Sequence, residues 1–169
     1  MYLLLTLVIL SNCSAEEWIK YTHNNYEISY PKSWIKQQKG LTTLFLSQKE
    51  NEKDLFQENV NTMVQDLSKQ PMTLEEYTNL TKQQITQALG ANSIVSIKDL
   101  NFAGQQAKEM VYNIPKNPMQ GSNLNLKIRQ VWFIKDSKAY LITYTAESSE
   151  YDNYLGTAKG IFDSFKLKK

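Results

Sequence analysis

Hydrophobic and polar positions alternate strictly along Tyr26-Glu27-Ile28-Ser29-Tyr30, which places Tyr26, Ile28 and Tyr30 on one face of a half-buried strand. Pro31 ends this strand, and Trp34 falls in the connection that follows. After a turn at Lys39-Gly40, Thr42 to Ser47 reads as a second strand. Polar residues 48–56 read as an exposed loop, and Glu58 to Leu67 as a third extended segment with Val60, Thr62 and Val64 on one face. Ser93 to Leu100 and Gln105 to Ile114 flank a turn at Ala103-Gly104. Pro115 to Asn123 is a loop rich in Pro, Asn, Gly and Ser. Leu124 to Lys135 and Lys138 to Thr145 then form a hairpin about Asp136-Ser137, with Tyr140, Ile142 and Tyr144 sharing a face.

Two segments carry the helical period instead. Thr73-Leu74-Glu75-Glu76 is a capping box, in which hydroxyl and carboxylate each satisfy an orphan backbone N–H. Leu74, Tyr77, Leu80, Thr81, Ile85, Ala88 and Leu89 make the inward stripe, and Gly90 stops the helix. The second helix runs from about Ser149 to Ser164, with Ser149 and Asp152 as its capping box. Tyr151, Tyr154, Leu155, Ala158, Ile161, Phe162 and Phe165 fall on one face of it. Short turns between successive strands mean antiparallel pairing, and one-sided helices must bury their stripes against the sheet. The expected fold is therefore α+β: an antiparallel sheet of about six strands flanked by helices.

The N-terminal segment follows neither period. Met1 to Leu10 is apolar and free of charge. Ten residues are too few to span a bilayer, which needs about 20, but suit the apolar centre of a secretory signal. Leu10-Ser11-Asn12-Cys13-Ser14 resembles the lipobox of a bacterial lipoprotein, which makes Cys13 a lipidation site. A plain secretory signal and a buried core segment are the competing readings. No Lys or Arg precedes the run, and Asn12 stands where a small residue is usual. The steep change of composition at Ser14-Ala15-Glu16-Glu17 speaks against the buried segment. The organisation expected is a signal peptide over 1–12, a tether and lead-in over 13–25, and one domain over 26–169. Ser14 lacks the Asp that often retains lipoproteins at the inner membrane, so the outer membrane is favoured in a Gram-negative cell.

Composition adds mainly exclusions. With 169 residues, 41% hydrophobic and 21% charged, the chain is an ordinary globular one. A net charge of +2 does not supply the clustered basic face of a nucleic-acid binder. One Cys leaves no internal disulfide. His23 is the single histidine, so no zinc site of the usual kind is expected, and His23 reads as an exposed loop residue. There is no Gly-x-Ser-x-Gly elbow for a Ser-His-Asp triad. Gly156-Thr157-Ala158-Lys159-Gly160 lies within a helix, where glycine serves close packing rather than a phosphate. Glu50, Glu52, Asp54 and Glu58 form an acidic cluster interrupted by Lys49 and Lys53, which reads as a solvated loop rather than a Ca²⁺ site. Trp18, Trp34, Trp132, Tyr112, Tyr140 and Tyr144 could line a binding platform, although alternating strand positions make core packing the default. Asn79-Leu80-Thr81 fits a glycosylation sequon on a helix. Lys166, Lys168 and Lys169 form a small basic tail.

A family resemblance rests on the order of several motifs. Tyr26-Glu27-Ile28-Ser29-Tyr30-Pro31-Lys32-Ser33-Trp34 resembles the opening of PsbP-like domains, and Phe56-Gln57-Glu58-Asn59-Val60-Asn61 resembles their next strand. Thr73-Leu74-Glu75-Glu76-Tyr77 is similar to their helix start. Ala139 to Ala146 and the closing Ser164-Phe165-Lys166 are similar to their last strand and helix. The resemblance covers roughly residues 18–167 and implies an α/β/α sandwich that acts as an interaction module. The family name comes from an extrinsic photosystem II subunit, but nothing in this chain points to photosynthesis. Some relatives are lipoproteins, and another protein of this fold binds a small GTPase.

The expectation is a non-catalytic envelope lipoprotein, attached to a membrane through lipid on Cys13, that binds or assembles a protein partner without a cofactor. The alternatives are a carrier of a small apolar or lipid-like ligand, with the ligand held between sheet and helix, and a hydrolase with a site hidden in the fold.

Overall fold

The computed structural model describes residues 16–116 and 123–168, so the signal segment, Cys13, most of the Pro115 to Asn123 loop and Lys169 lie outside the described residues. The strands come in two groups. Strands β3 (Ile35–Lys39), β4 (Thr42–Leu46), β5 (Asn59–Asp66), β9 (Lys138–Glu147), β8 (Leu126–Lys135), β7 (Gln105–Ile114) and β6 (Ile94–Phe102) lie side by side in that order as one sheet. Strands β1 (Trp18–Thr22), β2 (Tyr26–Pro31) and the two-residue β10 (Lys166–Leu167) make a smaller sheet with β2 in the middle. Every pair is antiparallel.

The large sheet is covered on both faces. Helix α1 (Leu74–Leu89) packs on one face with Tyr77, over Met110, Trp132 and Ala139. Helix α2 (Tyr151–Asp163) and the small sheet share the other face. There Ala158, Ile161 and Phe162 meet Val131, Phe133, Ile142 and Tyr144 of the strands, and Tyr26, Ile28 and Tyr30 meet Phe45 and Val60. The order is helix, sheet, then helix beside small sheet, as an α/β/α sandwich requires. Burying these aromatic and branched side chains is the main favourable term, at about 1.5–3 kcal/mol for each fully buried one.

The strict alternation of β2 is borne out, with Tyr26, Ile28 and Tyr30 all buried. So is the capping box of α1: the Thr73 hydroxyl accepts from Glu76 N–H, and Glu76 accepts from Thr73 N–H at 2.8 Å. Both two-residue hairpin turns are as expected, with positive φ at Ala103 and Gly104 and at Asp136 and Ser137. That is the primed turn geometry that matches strand twist.

Several readings need correction. Residues 18–22, expected within a lead-in, form β1 paired along β2. Residues 35–39, expected as connection, form β3. Strand β3 escapes a pattern reading because it is an edge strand whose every residue is exposed, so no alternation marks it. The box expected from Ser149 and Asp152 does not cap α2. Glu150 occupies the cap with helical backbone and no side-chain bond, because the turn from Glu147 to Glu150 runs straight into the helix. On α1 the buried side chains are Tyr77 and Thr78, while Leu80 and Ala88 face out. Trp132 explains that rotation, since its indole N–H donates to the Thr78 hydroxyl at 3.2 Å. Gly160 has the packing role expected of it: a Cβ there would stand 2.8 Å from the ring of Trp18.

Candidate functional site: an acidic cleft at one end of the sheet

Strand register defines two ends of the molecule. Ile35, Leu46, Asn59 and Thr145 lie opposite one another at one end. The turns at His23–Asn25, Gly40–Leu41 and Asp136–Ser137 gather toward the other, where Asp66 pairs with Lys138. At the first end the loop between β4 and β5, the end of β9 and the start of α2 enclose a cleft of about 420 Å³. Glu50, Asp54, Glu58, Glu147 and Glu150 line it, with Lys53, Asn51, Leu124 and the exposed Leu55.

Each wall has a local cause. Asp54 folds the loop by accepting backbone N–H groups from Glu50 at 3.0 Å and from Phe56 at 2.9 Å. Asn51 accepts from Lys53 N–H at 2.9 Å. Gln57 donates to the Ser47 carbonyl at 2.6 Å and ties the loop to the end of β4. Tyr154, in the first turn of α2, donates to Glu50 at 2.9 Å and joins loop to helix.

Glu58 is the unusual member. Only 2% of it is exposed. Its carboxylate accepts from the Ser47 hydroxyl at 3.5 Å and from Glu147 N–H at 3.4 Å, both long. Burial pushes its carboxyl above the ordinary glutamate range, and Asp54 and Glu147 push the same way against the backbone hydrogen bonds. Burial also raises the Tyr154 hydroxyl, and its bond to Glu50 adds to the effect. The cleft is thus a fixed field of negative charge, with one carboxyl held back from ionising.

The sequence placed Glu58 in a solvated acidic loop, and the structure corrects this. Glu58 continues the inward positions of Val60 and Thr62 at a spacing of two, and that period was the signal that could have found it. Glu50 and Glu52 are exposed, as expected of the loop. Glu147 and Glu150 were not singled out, because the chain carries them nearly a hundred positions downstream. Among the described residues, no group of three or more His, Cys, Asp or Glu side chains is arranged to hold a metal ion.

The remaining candidates lie elsewhere. His23 sits at the opposite end, half-buried rather than exposed, stacked on Tyr26 at 4.7 Å. Burial and Lys168 lower its pKa, so it is neutral at pH 7. Trp34, Trp132, Tyr140 and Tyr144 are core residues, Tyr112 is half-buried, and Trp18 is exposed. They do not converge on a platform. Lys166 and Lys168 lie at the far end, where Lys168 N–H bonds to Asn25. No helix of the described residues is long and apolar enough to cross a membrane.

Comparison with solved structures gives the fold a lineage. The cyanobacterial PsbP of Synechocystis sp. PCC 6803 superposes with a TM-score of 0.60 at 13% identity, over 96% of this chain and 99% of that one. LpqN of Mycobacterium tuberculosis, involved in cell envelope biogenesis, gives 0.61 at 9% identity, over 92% and 91%. The Ran-binding protein Mog1p of Saccharomyces cerevisiae gives 0.54 at 9% identity, over 90% and 96%. At these identities the likeness shows the fold alone. No curated protein matches by sequence. The PsbP family profile matches residues 16–167, which takes in both sheets, both helices and every described wall of the cleft, and the chain therefore belongs to the PsbP family.

Proposed function

We propose that this chain is a lipid-anchored, non-catalytic module of the bacterial cell envelope that binds a protein partner through the acidic cleft. The observation that carries the reading is the cleft itself: Glu50, Glu147 and Glu150 around the buried Glu58, with Leu55 exposed at the rim. A fixed acidic surface with an apolar contact at its edge favours a basic segment of a partner and steers its approach. His23 stands at the other end of the fold, so the site has no His to pair with a nucleophile. The space between the large sheet and α2 is filled by Phe102, Phe133, Phe162 and Phe165 in mutual contact, so no observation favours a carrier of an apolar ligand. Envelope attachment rests on the context of Cys13, and the description of LpqN as an envelope-biogenesis protein is in keeping with it.

The test is a photocrosslinking residue placed at Leu55 or, as control, at Lys82 on the exposed side of α1, in the native envelope. Crosslinking of one partner from Leu55 and not from Lys82, lost when Glu147 and Glu150 are both changed to Lys, is the expected result. Equal crosslinking from both positions, or survival of the crosslink after charge reversal, overturns the docking assignment. Retention of a Cys13→Ser chain in the membrane fraction overturns the anchor.

A further inference from the structure

We infer that the end of the domain carrying the acidic cleft lies directly against the bilayer, held there by a tether of two residues; this rests on the lipidation of Cys13 proposed above. Only Ser14 and Ala15 separate Cys13 from Glu16. Three residue steps of fully extended chain reach about 10 Å. From Glu16 onward the chain is fastened. The Ser33 hydroxyl donates to the Glu16 carboxylate. The Glu17 carbonyl accepts Lys32 N–H at 2.8 Å, and the Glu17 carboxylate pairs with Lys32 Nζ at 2.8 Å. Five consecutive positions of β1 then pair with β2. The domain therefore has no stalk. Its first fastened residue stays within about 10 Å of the lipidated residue, while its other end stands about 30 Å away along the ten residues of β9.

The same end is the apolar one. Large hydrophobic residues exposed among the described ones include Trp18, Ile19, Ile35, Leu55 and Val95 here, against Leu41 at the far end and Leu80 on α1. Trp18, an indole at the point where the chain would leave the membrane, suits the interfacial layer. The charges select the kind of surface. Glu16, Glu50, Glu147 and Glu150 face this way, whereas the basic Lys166 and Lys168 lie at the opposite end beside Asn25. The occupant is thus a zwitterionic bilayer surface, met through tether and apolar rim rather than through attraction to anionic lipid.

Leu55 and Leu41 make a matched pair for the test, 75% and 74% exposed at opposite ends. The full chain, lipidated on Cys13 and carrying Leu55→Cys or Leu41→Cys with an environment-sensitive fluorophore, is reconstituted into phosphatidylcholine vesicles that contain a lipid-borne quencher. The Leu55 label is expected to be quenched at least threefold more than the Leu41 label. A flexible Gly/Ser insertion of 20 residues between Ser14 and Ala15, with a mean reach of about 25 Å, should bring the ratio close to one. Equal quenching in protein that floats with the vesicles overturns the apposition. A threefold ratio that survives the insertion overturns the role of the tether. Failure of the lipid-processed chain to float strikes at the anchor itself, and this inference falls with it.

Discussion

Glu58 and Glu109 are the two buried carboxylates of this fold, 2% and 4% exposed, and their surroundings treat them in opposite ways. Glu109, on β7, lies in register with Lys98 of β6 and one diagonal step from Arg129 of β8. Lys98 Nζ stands 2.9 Å from its carboxylate and Arg129 Nη2 2.7 Å, and Arg129 in turn lies over the ring of Phe162. Burial by itself would raise the Glu109 carboxyl, but Lys98 and Arg129 together hold it below the ordinary range. Glu58 has no cation within bonding reach and is raised. The difference separates two uses of buried charge. Glu109 closes an ion pair that pins three strands under α2. Glu58 adds unpaired negative character to an open cleft, and such a cost is typical of a site kept for binding rather than for stability.

Substitutions that break this comparison should have unequal effects. The largest is expected for Glu109→Gln, which leaves Arg129 without its charged partner; loss of about 3 kcal/mol in urea unfolding checks it. The pH dependence of stability comes next, because the two carboxyls act with opposite sign. Glu109 has a lowered pKa, so its contribution is complete above the unfolded glutamate value and is lost as pH falls through the lower folded value. Glu58 has a raised pKa, so the folded state is penalised once it must ionise, and the penalty is relieved as pH falls through the raised value. Urea midpoints should therefore rise on mild acidification from neutral pH and then fall. Glu58→Gln should abolish the rise, and at pH 7.5 should leave stability unchanged or higher by up to about 1 kcal/mol. A loss of several kcal/mol in that variant would show that Glu58 is structural after all. Lys98→Ala should cost less than about 1 kcal/mol, because the lysine is mostly exposed and Arg129 remains. The smallest effect is expected for Tyr154→Phe, about 0.5 kcal/mol, read better by hydrogen exchange, which should quicken in residues 48–56 as the loop loses its tie to α2.

Much of the fold was legible from the chain. Strand β2, the hairpin of β8 and β9, and the first turn of α1 announce themselves through alternation, a two-residue turn and a capping box, each a matter of neighbours a few positions apart. Strands β1 and β3 were not legible, one because mixed polar and apolar residues begin it, the other because an edge strand buries nothing. Half of the cleft was visible as an acidic loop, but its burial at Glu58 and its closure by Glu147, Glu150 and Tyr154 were not.

The sequence alone thus determined the α+β class, the hairpins and the helix start, since local sterics and hydrogen bonding decide them. Tertiary structure decided which glutamate meets a cation and which does not, because that depends on register between strands distant in the chain. It also decided that the fastened N-terminal strand and the acidic cleft share one end of the sheet, since the end at which each strand finishes follows from antiparallel pairing of the whole. Residue types state what charges are present, and packing fixes which of them water and partners can reach.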